Sequence, residues 1–401
     1  MRIAYVSRAY PGVAAEFYAA HPGLERESSE AQRTAFETNA FGWAGGWGPA
    51  LAPHGHELSE FWLDLEPQHR AWARERGLPE AGSGAEDLVV ARLREFDPEI
   101  LWLDHPDEVL LGRASEACPG LRVTLGWVGS ALPDRPIWRK FDCVLSCDAE
   151  SVATLERGGA RASLLHHAFQ ERVLKRLVER APSLDAVFVG QFDPGAPSHA
   201  AREQVVDALL ENHRVAVFSP PSRRSGGFET AARGAVWSVA AGLRRAGVPE
   251  TALRRVPGLG RAAAWPGAPR GAPSARLAAA IQPARYGLAM YQTFRDARVT
   301  LNVQGFGPVH VSSNMRLFEA TGVGSCLLTD ATGGTAEFFV PGREAVTFES
   351  SAECVEKMTW LLEHEAERAV IAQAGQTRCL AEHTFAHRAP RLAEILREMT
   401  K

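Results

Sequence analysis

The sequence lacks several features that would assign the chain to a class at once. It contains no run of about 18 apolar residues, so no membrane span is predicted. Its formal net charge of −4 and its pI near 6.4 exclude binding to nucleic acid through an overall positive charge. These absences leave a globular protein, whose 401 residues suggest two to three domains and whose 45% apolar content is ample for large cores.

Cysteine is also scarce. The 6 cysteines are scattered, and no nearby histidine or cysteine pair completes a zinc pattern around Cys143 and Cys147. We interpret them as buried, reduced thiols. Residues 1–7 lead directly into a strand-like run and lack the apolar core of a signal peptide, so we expect a cytoplasmic protein.

Strand-like and helix-like segments alternate over residues 1–170, which predicts a doubly wound parallel sheet. Within this part, the glycine-rich segment 42–48 either cradles an acceptor or a phosphate or simply lets a helix start close to the sheet. The charged segment 171–182 is typical of a linker, and a new strand is predicted at 185–189. A second α/β domain is therefore expected after the linker.

The composition changes in the second half of the chain. Residues 222–298 hold thirteen arginines against three acids, and they are rich in alanine, glycine and proline. We interpret residues 222–285 as an insertion. It is either a solvated helical segment with a mobile loop or a positive surface for a nucleotide-sugar, an anionic acceptor or a peptide.

Residues 299–349 contain the strongest pattern. An apolar strand at 299–303 precedes a helix predicted over 314–320, with Ser312 and Ser313 as candidate caps. A second strand at 325–329 precedes Gly333 and Gly334, which lead into a short helix at 335–339. Two helix starts thus follow two strands, and free backbone N–H groups at such places commonly bind diphosphates.

Several motifs in this half occur in a fixed order. They are YGLAMY at 286–291, NMRLFEATGVG at 314–324, LTD at 328–330, EFFVPGRE at 337–344 and HTFAHR at 383–388. Together they resemble the C-terminal half of the CgeB-like glycosyltransferases of spore maturation, which are related to the family-4-like group. The resemblance covers about residues 285–400 and is weaker in the N-terminal half.

The resemblance implies an α/β protein of the GT-B fold, with two Rossmann-like domains whose parallel sheets face a central cleft. Residues 1–180 would form the acceptor domain and residues 181–382 the nucleotide-sugar domain. Residues 383–401 would form a C-terminal helix able to pack back on the first domain.

The resemblance also assigns donor-binding residues. Glu319 matches the glutamate that accepts hydrogen bonds from the ribose, and Arg316, one helical turn earlier, is placed to meet the diphosphate or to form a plain salt bridge. Asn314 begins the same motif, and Gly333, Gly334 and Thr335 would contribute N–H groups to the diphosphate or sugar. One position departs from the pattern, because Val311 replaces a second glutamate that contacts the donor sugar.

The resemblance implies an enzyme, a glycosyltransferase of the hexosyltransferase type. The donor would be a UDP- or GDP-linked sugar, and the acceptor a natural product, a peptide or protein, or a glycan. No DxD-type aspartate pair is found in the usual setting, so we expect transfer without a metal ion or other cofactor.

A general base on the acceptor side should lie at the carboxyl end of a strand. Asp104 and His105 follow a predicted strand, and His167 follows another, so these three are the catalytic candidates. Two alternatives stay open. One is a non-catalytic two-lobed protein that senses a nucleotide or sugar, which the missing glutamate at 311 does not exclude, and the other is a nucleotide-sugar epimerase of the same fold.

Overall fold

The computed structural model describes most of the chain. The described residues are 1–79, 84–129, 132, 135–192, 197–220, 227–246, 248–249, 253, 256, 273–304, 314–331 and 334–400, without the side chains of 197–198 and 227–233. Most of the predicted basic insertion lies outside these residues, as do Ser312, Ser313, Val311 and Gly333.

Twelve described strands form two six-stranded sheets, and every pairing between neighbouring strands is parallel. The first sheet has the order β2-β1-β3-β4-β5-β6 and the second β12-β11-β10-β7-β8-β9. In chain order the strands are β1 (Arg2–Ser7), β2 (Glu57–Trp62), β3 (Ile100–Leu103), β4 (Val123–Val128), β5 (Cys143–Ser146), β6 (Ala162–Leu164), β7 (Leu184–Val189), β8 (Val215–Phe218), β9 (Ile281–Gln282), β10 (Ala297–Asn302), β11 (Cys326–Asp330) and β12 (Val346–Phe348).

Helices connect the strands, as parallel pairing requires. In the first half the α-helices are Val13–Ala20, Ser29–Asn39, Trp47–Leu51, Glu66–Glu75, Ala85–Phe96, Glu108–Ala117 and Ala149–Arg157. In the second half they are Pro197–Asn212, Gly227–Arg245, Ala275–Ala280, Gly287–Arg295, Met315–Gly322, Thr335–Phe338, Ser351–Glu363, Glu365–Glu382 and Phe385–Met399. Four 3₁₀ segments lie at Leu24–Arg26, Ala52–His54, Pro136–Lys140 and Glu171–Arg176.

The strands are buried on both faces because helices cover each sheet. All four residues of β3 are buried, and so are all five of β11. β3 is a continuous apolar run, as is typical of buried parallel strands, whereas β11 ends in the buried polar residues Thr329 and Asp330. None of the described helices combines the length and apolar character needed to cross a membrane.

The last helix, Phe385–Met399, packs in the core of the first sheet, far from its neighbours in sequence. Phe385, Leu392 and Leu396 are buried in that core, and the ring of Phe385 meets Trp47 edge-on at 4.9 Å. Gly46 permits this approach, since a Cβ there would lie 2.8 Å from the Phe385 ring. The C-terminal helix therefore ties the two halves of the chain together.

Candidate active site

The carboxyl end of β10 leads to the helix Met315–Gly322, which carries the central motif. The helix is capped by Asn314, whose Oδ1 accepts a hydrogen bond from the backbone N–H of Arg316 at 2.8 Å. Asn314 Nδ2 also reaches Oδ1 of Asn302, the last residue of β10, at 3.5 Å. The predicted helix is thus present, starts one residue later than expected, and is capped by Asn314 itself.

Arg316 points back toward the strand ends. Its Nε donates to the carbonyl of Val189 at the end of β7 at 3.2 Å, and Nη1 contacts Sδ of Met290 at 2.9 Å. The guanidinium lies 5.1 Å from the centre of the Phe294 ring, and the side chain is 23% exposed. Arg316 is therefore held in place while part of it still faces solvent, where an anionic ligand would meet it.

Glu319 lies one turn further along and is only 2% exposed. Its carboxylate pairs with Nη1 of Arg316 and accepts a hydrogen bond from Tyr291. Burial raises the pKa of Glu319, while Arg316 and Tyr291 act against that shift. Arg316 and Glu319 thus form the salt bridge that the sequence analysis gave as one of two roles for Arg316. A ribose could donate hydrogen bonds only to those carboxylate lone pairs of Glu319 that the salt bridge leaves free.

Arg202 is a second cation at this edge, and the sequence analysis missed it. Its Nε donates to the carbonyl of Val303 at 3.0 Å, and Nη1 donates to that of Gln191 at 2.6 Å. Burial lowers the pKa of Arg202 to about 10, with Asp330 opposing the shift and Arg316 adding to it. The sequence did contain a signal for Arg202: it lies in the second turn of a helix that follows a buried strand, where side chains can face the carboxyl edge of the sheet.

Two buried donors near the same strand ends have no hydrogen-bond partner in the described part of the chain. They are Nε2 of Gln304, just after β10, and Oγ1 of Thr335, at the start of the short helix Thr335–Phe338. Leaving buried polar groups unpaired costs about 1–3 kcal/mol each, so a missing partner is expected. Gly334 precedes Thr335 and has no side chain to cap the helix, whereas Gly333 lies outside the described residues.

The first sheet presents a buried carboxylate at its own carboxyl edge. Asp104 follows β3, and its Oδ2 accepts a hydrogen bond from Ser7 Oγ at 2.6 Å. Burial raises the pKa of Asp104, whereas Ser7, His105 and Tyr5 lower it. Nδ1 of His105 lies 3.7 Å from the same oxygen, and its side chain is 55% exposed. Two of the three catalytic candidates therefore form one cluster.

The third candidate, His167, lies in a different environment. It is buried, and its ring is 5.5 Å from the ring centres of both Trp43 and Trp127. Burial lowers the pKa of His167 to about 3. A histidine that resists protonation in this way suits the aromatic core better than proton transfer near neutral pH.

Tyr10 links the two edges and was not singled out from the sequence. It lies in the loop after β1, and its ring packs on Phe41 of the first half and Tyr286 of the second, at 5.6 and 6.3 Å. The charges of Arg316, Asp104 and Glu319 all act on its hydroxyl, and 62% of its surface is accessible to water. Tyr10 therefore lies between the Asp104 cluster and the Arg316–Glu319 pair.

Three or more histidine, cysteine, aspartate or glutamate side chains never converge as a metal site within the described residues. The positive groups that the structure does place at the second edge are Arg202 and Arg316.

Known structures share this architecture over the whole chain. HepE (Alr3699) from Anabaena in complex with UDP is 13% identical, with 99% of this chain and 100% of that chain covered and a TM-score of 0.51. A glycosyltransferase from Rickettsia africae is 10% identical, with 100% and 98% covered and a TM-score of 0.54. Sucrose-phosphate synthase from Thermosynechococcus elongatus is 13% identical, with 100% and 99% covered and a TM-score of 0.50. The predicted GT-B fold is therefore confirmed.

The sequence of the second half matches one family model. The model of the family described as "Glycosyl transferase-like" matches residues 202–394, which include Arg202, Arg316 and Glu319. None of the curated proteins matches the sequence of the chain. Fold and domain confirm the prediction of a glycosyltransferase, and the resemblance to the CgeB-like subgroup stays a prediction.

Proposed function

We propose that the chain transfers a sugar from a UDP- or GDP-linked donor to an acceptor hydroxyl, with the donor on the second sheet's edge. The observation that carries this proposal is the convergence of Arg202, Arg316 and the two unpaired buried donors at one row of strand ends. Cations and N–H groups fixed in this way match the charge that a departing nucleoside diphosphate develops.

The residues divide into distinct roles. Arg316 and Arg202 stabilise the diphosphate without a metal ion, Thr335 and the N–H groups that follow Gly334 bind its oxygens, and Glu319 accepts from the ribose hydroxyls. Asn314 fixes the helix start beside the phosphates. The HepE structures that contain UDP and UDP-glucose, at 13% and 12% identity, support a uridine nucleotide as the first ligand to test.

On the acceptor side, we propose Asp104 as the base, with His105 as its neighbour. A buried carboxylate with a raised pKa accepts a proton more readily than an exposed one. The exposed ring of Tyr10 would carry the acceptor between Asp104 and the donor. The acceptor itself is a small molecule, a peptide or protein, or a glycan.

The wider assignments follow from the same proposal. Residues 1–180 serve as the acceptor domain, 181–382 as the donor domain, and 383–401 as the helix that joins them, within the CgeB-like subgroup. All six cysteines are free and buried, which suits a cytoplasmic protein whose thiols stay reduced.

Calorimetric titration with UDP and GDP, followed by hydrolysis and transfer assays with UDP-glucose and GDP-mannose, tests the proposal. Glu319→Ala should weaken nucleotide binding by about 1–3 kcal/mol, because charged hydrogen bonds to the ribose are lost. Arg343→Gln, at an exposed position in the same half, is the matched control. Tight binding without hydrolysis or transfer would instead identify a two-lobed sensor, and unchanged binding by Glu319→Ala would remove the ribose assignment.

A further inference from the structure

A cavity of about 320 Å³ lies outside the cleft edge, where the helix Ser29–Asn39 meets the 3₁₀ segment Glu171–Arg176. This segment belongs to the connection between β6 of the first sheet and β7 of the second. The residues that line the cavity are Thr38, Arg172, Val173, Lys175 and Arg176. Three of the five are cations, and no acid is among them.

Arg172 is the best-anchored of the three cations. Its Nε donates to Gln170 Oε1 at 3.0 Å, and Nη2 donates to the carbonyl of Ala44 at 2.7 Å and to that of Glu37. Burial lowers the pKa of Arg172, with the charges of Glu60 and Glu37 opposing the shift and that of Arg176 adding to it. Nη1 donates no hydrogen bond within the described residues, so two N–H groups of a fixed guanidinium remain available.

The charge of this cluster is not balanced by ion pairs. Lys175 and Arg176 are exposed and form no salt bridge with any described residue. The carboxylate next to Thr38 in sequence, Glu37, is already paired with Arg33 at 2.9 Å. Three cations that share one concave surface without a paired acid raise the local concentration of anions.

We propose that this cavity is a binding site for a phosphate-type oxyanion, either inorganic phosphate or the phosphoryl group of a small metabolite. Arginine N–H groups, a lysine ammonium and the Thr38 hydroxyl are all donors that phosphate oxygens accept. A volume of about 320 Å³ is at the lower end of the range for small-molecule sites. The site therefore suits one phosphate or a small phosphorylated compound.

The cavity is next to the donor edge but separate from it. The hydroxyl of Tyr291 donates to Glu319 and also lies in the electrostatic field of Arg172. Tyr291 is 1% exposed, and its ring packs against Phe169, 6.1 Å away.

The test is calorimetric titration of the full chain with inorganic phosphate, with sodium chloride added to hold the ionic strength constant. Wild type should bind phosphate saturably, and Lys175→Gln/Arg176→Gln should bind it about tenfold more weakly, because two charge-assisted contacts are lost. Both side chains are exposed, so the double variant should keep the wild-type melting temperature. Arg214→Gln removes an exposed arginine elsewhere in the second half and should leave phosphate binding unchanged.

Three results would overturn the proposal. They are no saturable phosphate binding by wild type, equal binding by the double variant and wild type, or loss of binding in Arg316→Gln but not in the double variant. The third result would place the anion at the donor edge instead. None of these readouts depends on nucleotide-sugar transfer, so the proposed function stands or fails independently.

Discussion

The two sheets have the same number of strands, but their carboxyl edges differ where helices begin. In the first sheet, the helices after β3 and β5 are capped by the carboxylates of Asp107 and Asp148. In the second sheet, the helix after β10 is capped by neutral Asn314, and the short helix after β11 starts at Gly334 without a side-chain cap. A carboxylate cap satisfies N–H groups but repels an incoming anion. The second edge is therefore the one suited to a diphosphate.

The buried acids of the two edges differ in the same way. Glu319, on the second edge, is neutralised by the paired guanidinium of Arg316. Asp104, on the first edge, has Ser7 and His105 beside it but no arginine salt bridge among the described residues. The comparison therefore predicts opposite effects on the free energy of unfolding when a charge is removed. In the second sheet the protein loses stability, because a charged group loses its partner. In the first sheet the protein gains stability near neutral pH, because an unfavourable buried charge is removed.

Arg316→Ala should have the largest effect. It leaves the Glu319 carboxylate buried without its charged partner, which destabilises proteins by about 3–5 kcal/mol, and it should abolish nucleotide binding. Urea unfolding followed by circular dichroism measures the first effect. Arg316→Ala/Glu319→Gln should recover part of the lost stability, and Arg343→Ala serves as an exposed control. If Arg316→Ala is as stable as the control, the ion pair does not hold this edge.

Much of the second edge could be predicted from the sequence, because its residues are neighbours in one motif. Asn314, Arg316 and Glu319 lie within six residues, so helical spacing alone places them together. Arg202 and Tyr10 could not be found in this way. Each lies over 100 residues from the motif and reaches the cleft only through the order of strands and the packing of the two halves.

The first edge was harder to predict for a related reason. Asp104 and His105 are adjacent in sequence, but their partner Ser7 comes from β1, which pairs with β3 only after the sheet has formed. His167 has the strand-end position expected of a base, yet packing between Trp43 and Trp127 decides its environment. Sequence position therefore predicted which side chains lie at the carboxyl ends of strands, but not which residues surround them.

The second-largest effect is expected at Glu60, a buried acid of β2 in the first sheet. It tests whether a buried carboxylate without a salt bridge to the described residues destabilises this half of the protein when it is charged. Burial raises the pKa of Glu60 from 4.5 to about 7, with the charge of Glu37 adding to it and hydrogen bonds from Trp62 and Gly45 opposing it. Because the folded state binds the proton more tightly, this contribution to stability is complete below about pH 4.5 and is lost as the pH rises to 7. The loss should reach about 3 kcal/mol.

Urea unfolding of wild type and Glu60→Gln at several pH values measures that loss. The variant should be somewhat less stable at low pH, because an amide cannot accept from both Gly45 and Trp62, but its stability should vary less between pH 5 and 7. Glu116→Gln, on the exposed face of the helix Glu108–Ala117, should keep the wild-type pH dependence. Parallel curves for wild type and Glu60→Gln would contradict the raised pKa.

A smaller effect is expected where the two halves touch. Gly287 begins the helix Gly287–Arg295 with φ +53°, and a Cβ there would lie 2.3 Å from the backbone oxygen of Asn39. Gly287→Ala should destabilise the protein by about 1–3 kcal/mol, because both the φ angle and the contact resist a side chain. Gly242→Ala, in a helix with open space around it, should instead gain up to about 1 kcal/mol. Similar melting temperatures for the two variants would contradict this close approach.

The smallest effect tests the opening comparison directly, because it gives the second edge the cap of the first. Asn314→Asp keeps an oxygen that accepts from the N–H of Arg316, so stability should stay within about 0.5 kcal/mol of wild type. Asn314→Ala removes the cap and should cost about 1 kcal/mol. Nucleotide binding should nevertheless weaken more in the aspartate variant, since its charge would repel the diphosphate of the proposed donor. Calorimetry with UDP measures the two affinities. If the alanine variant binds UDP more weakly than the aspartate variant, affinity follows stability. The neutral cap then matters for folding alone, and the difference between the two edges does not select the ligand.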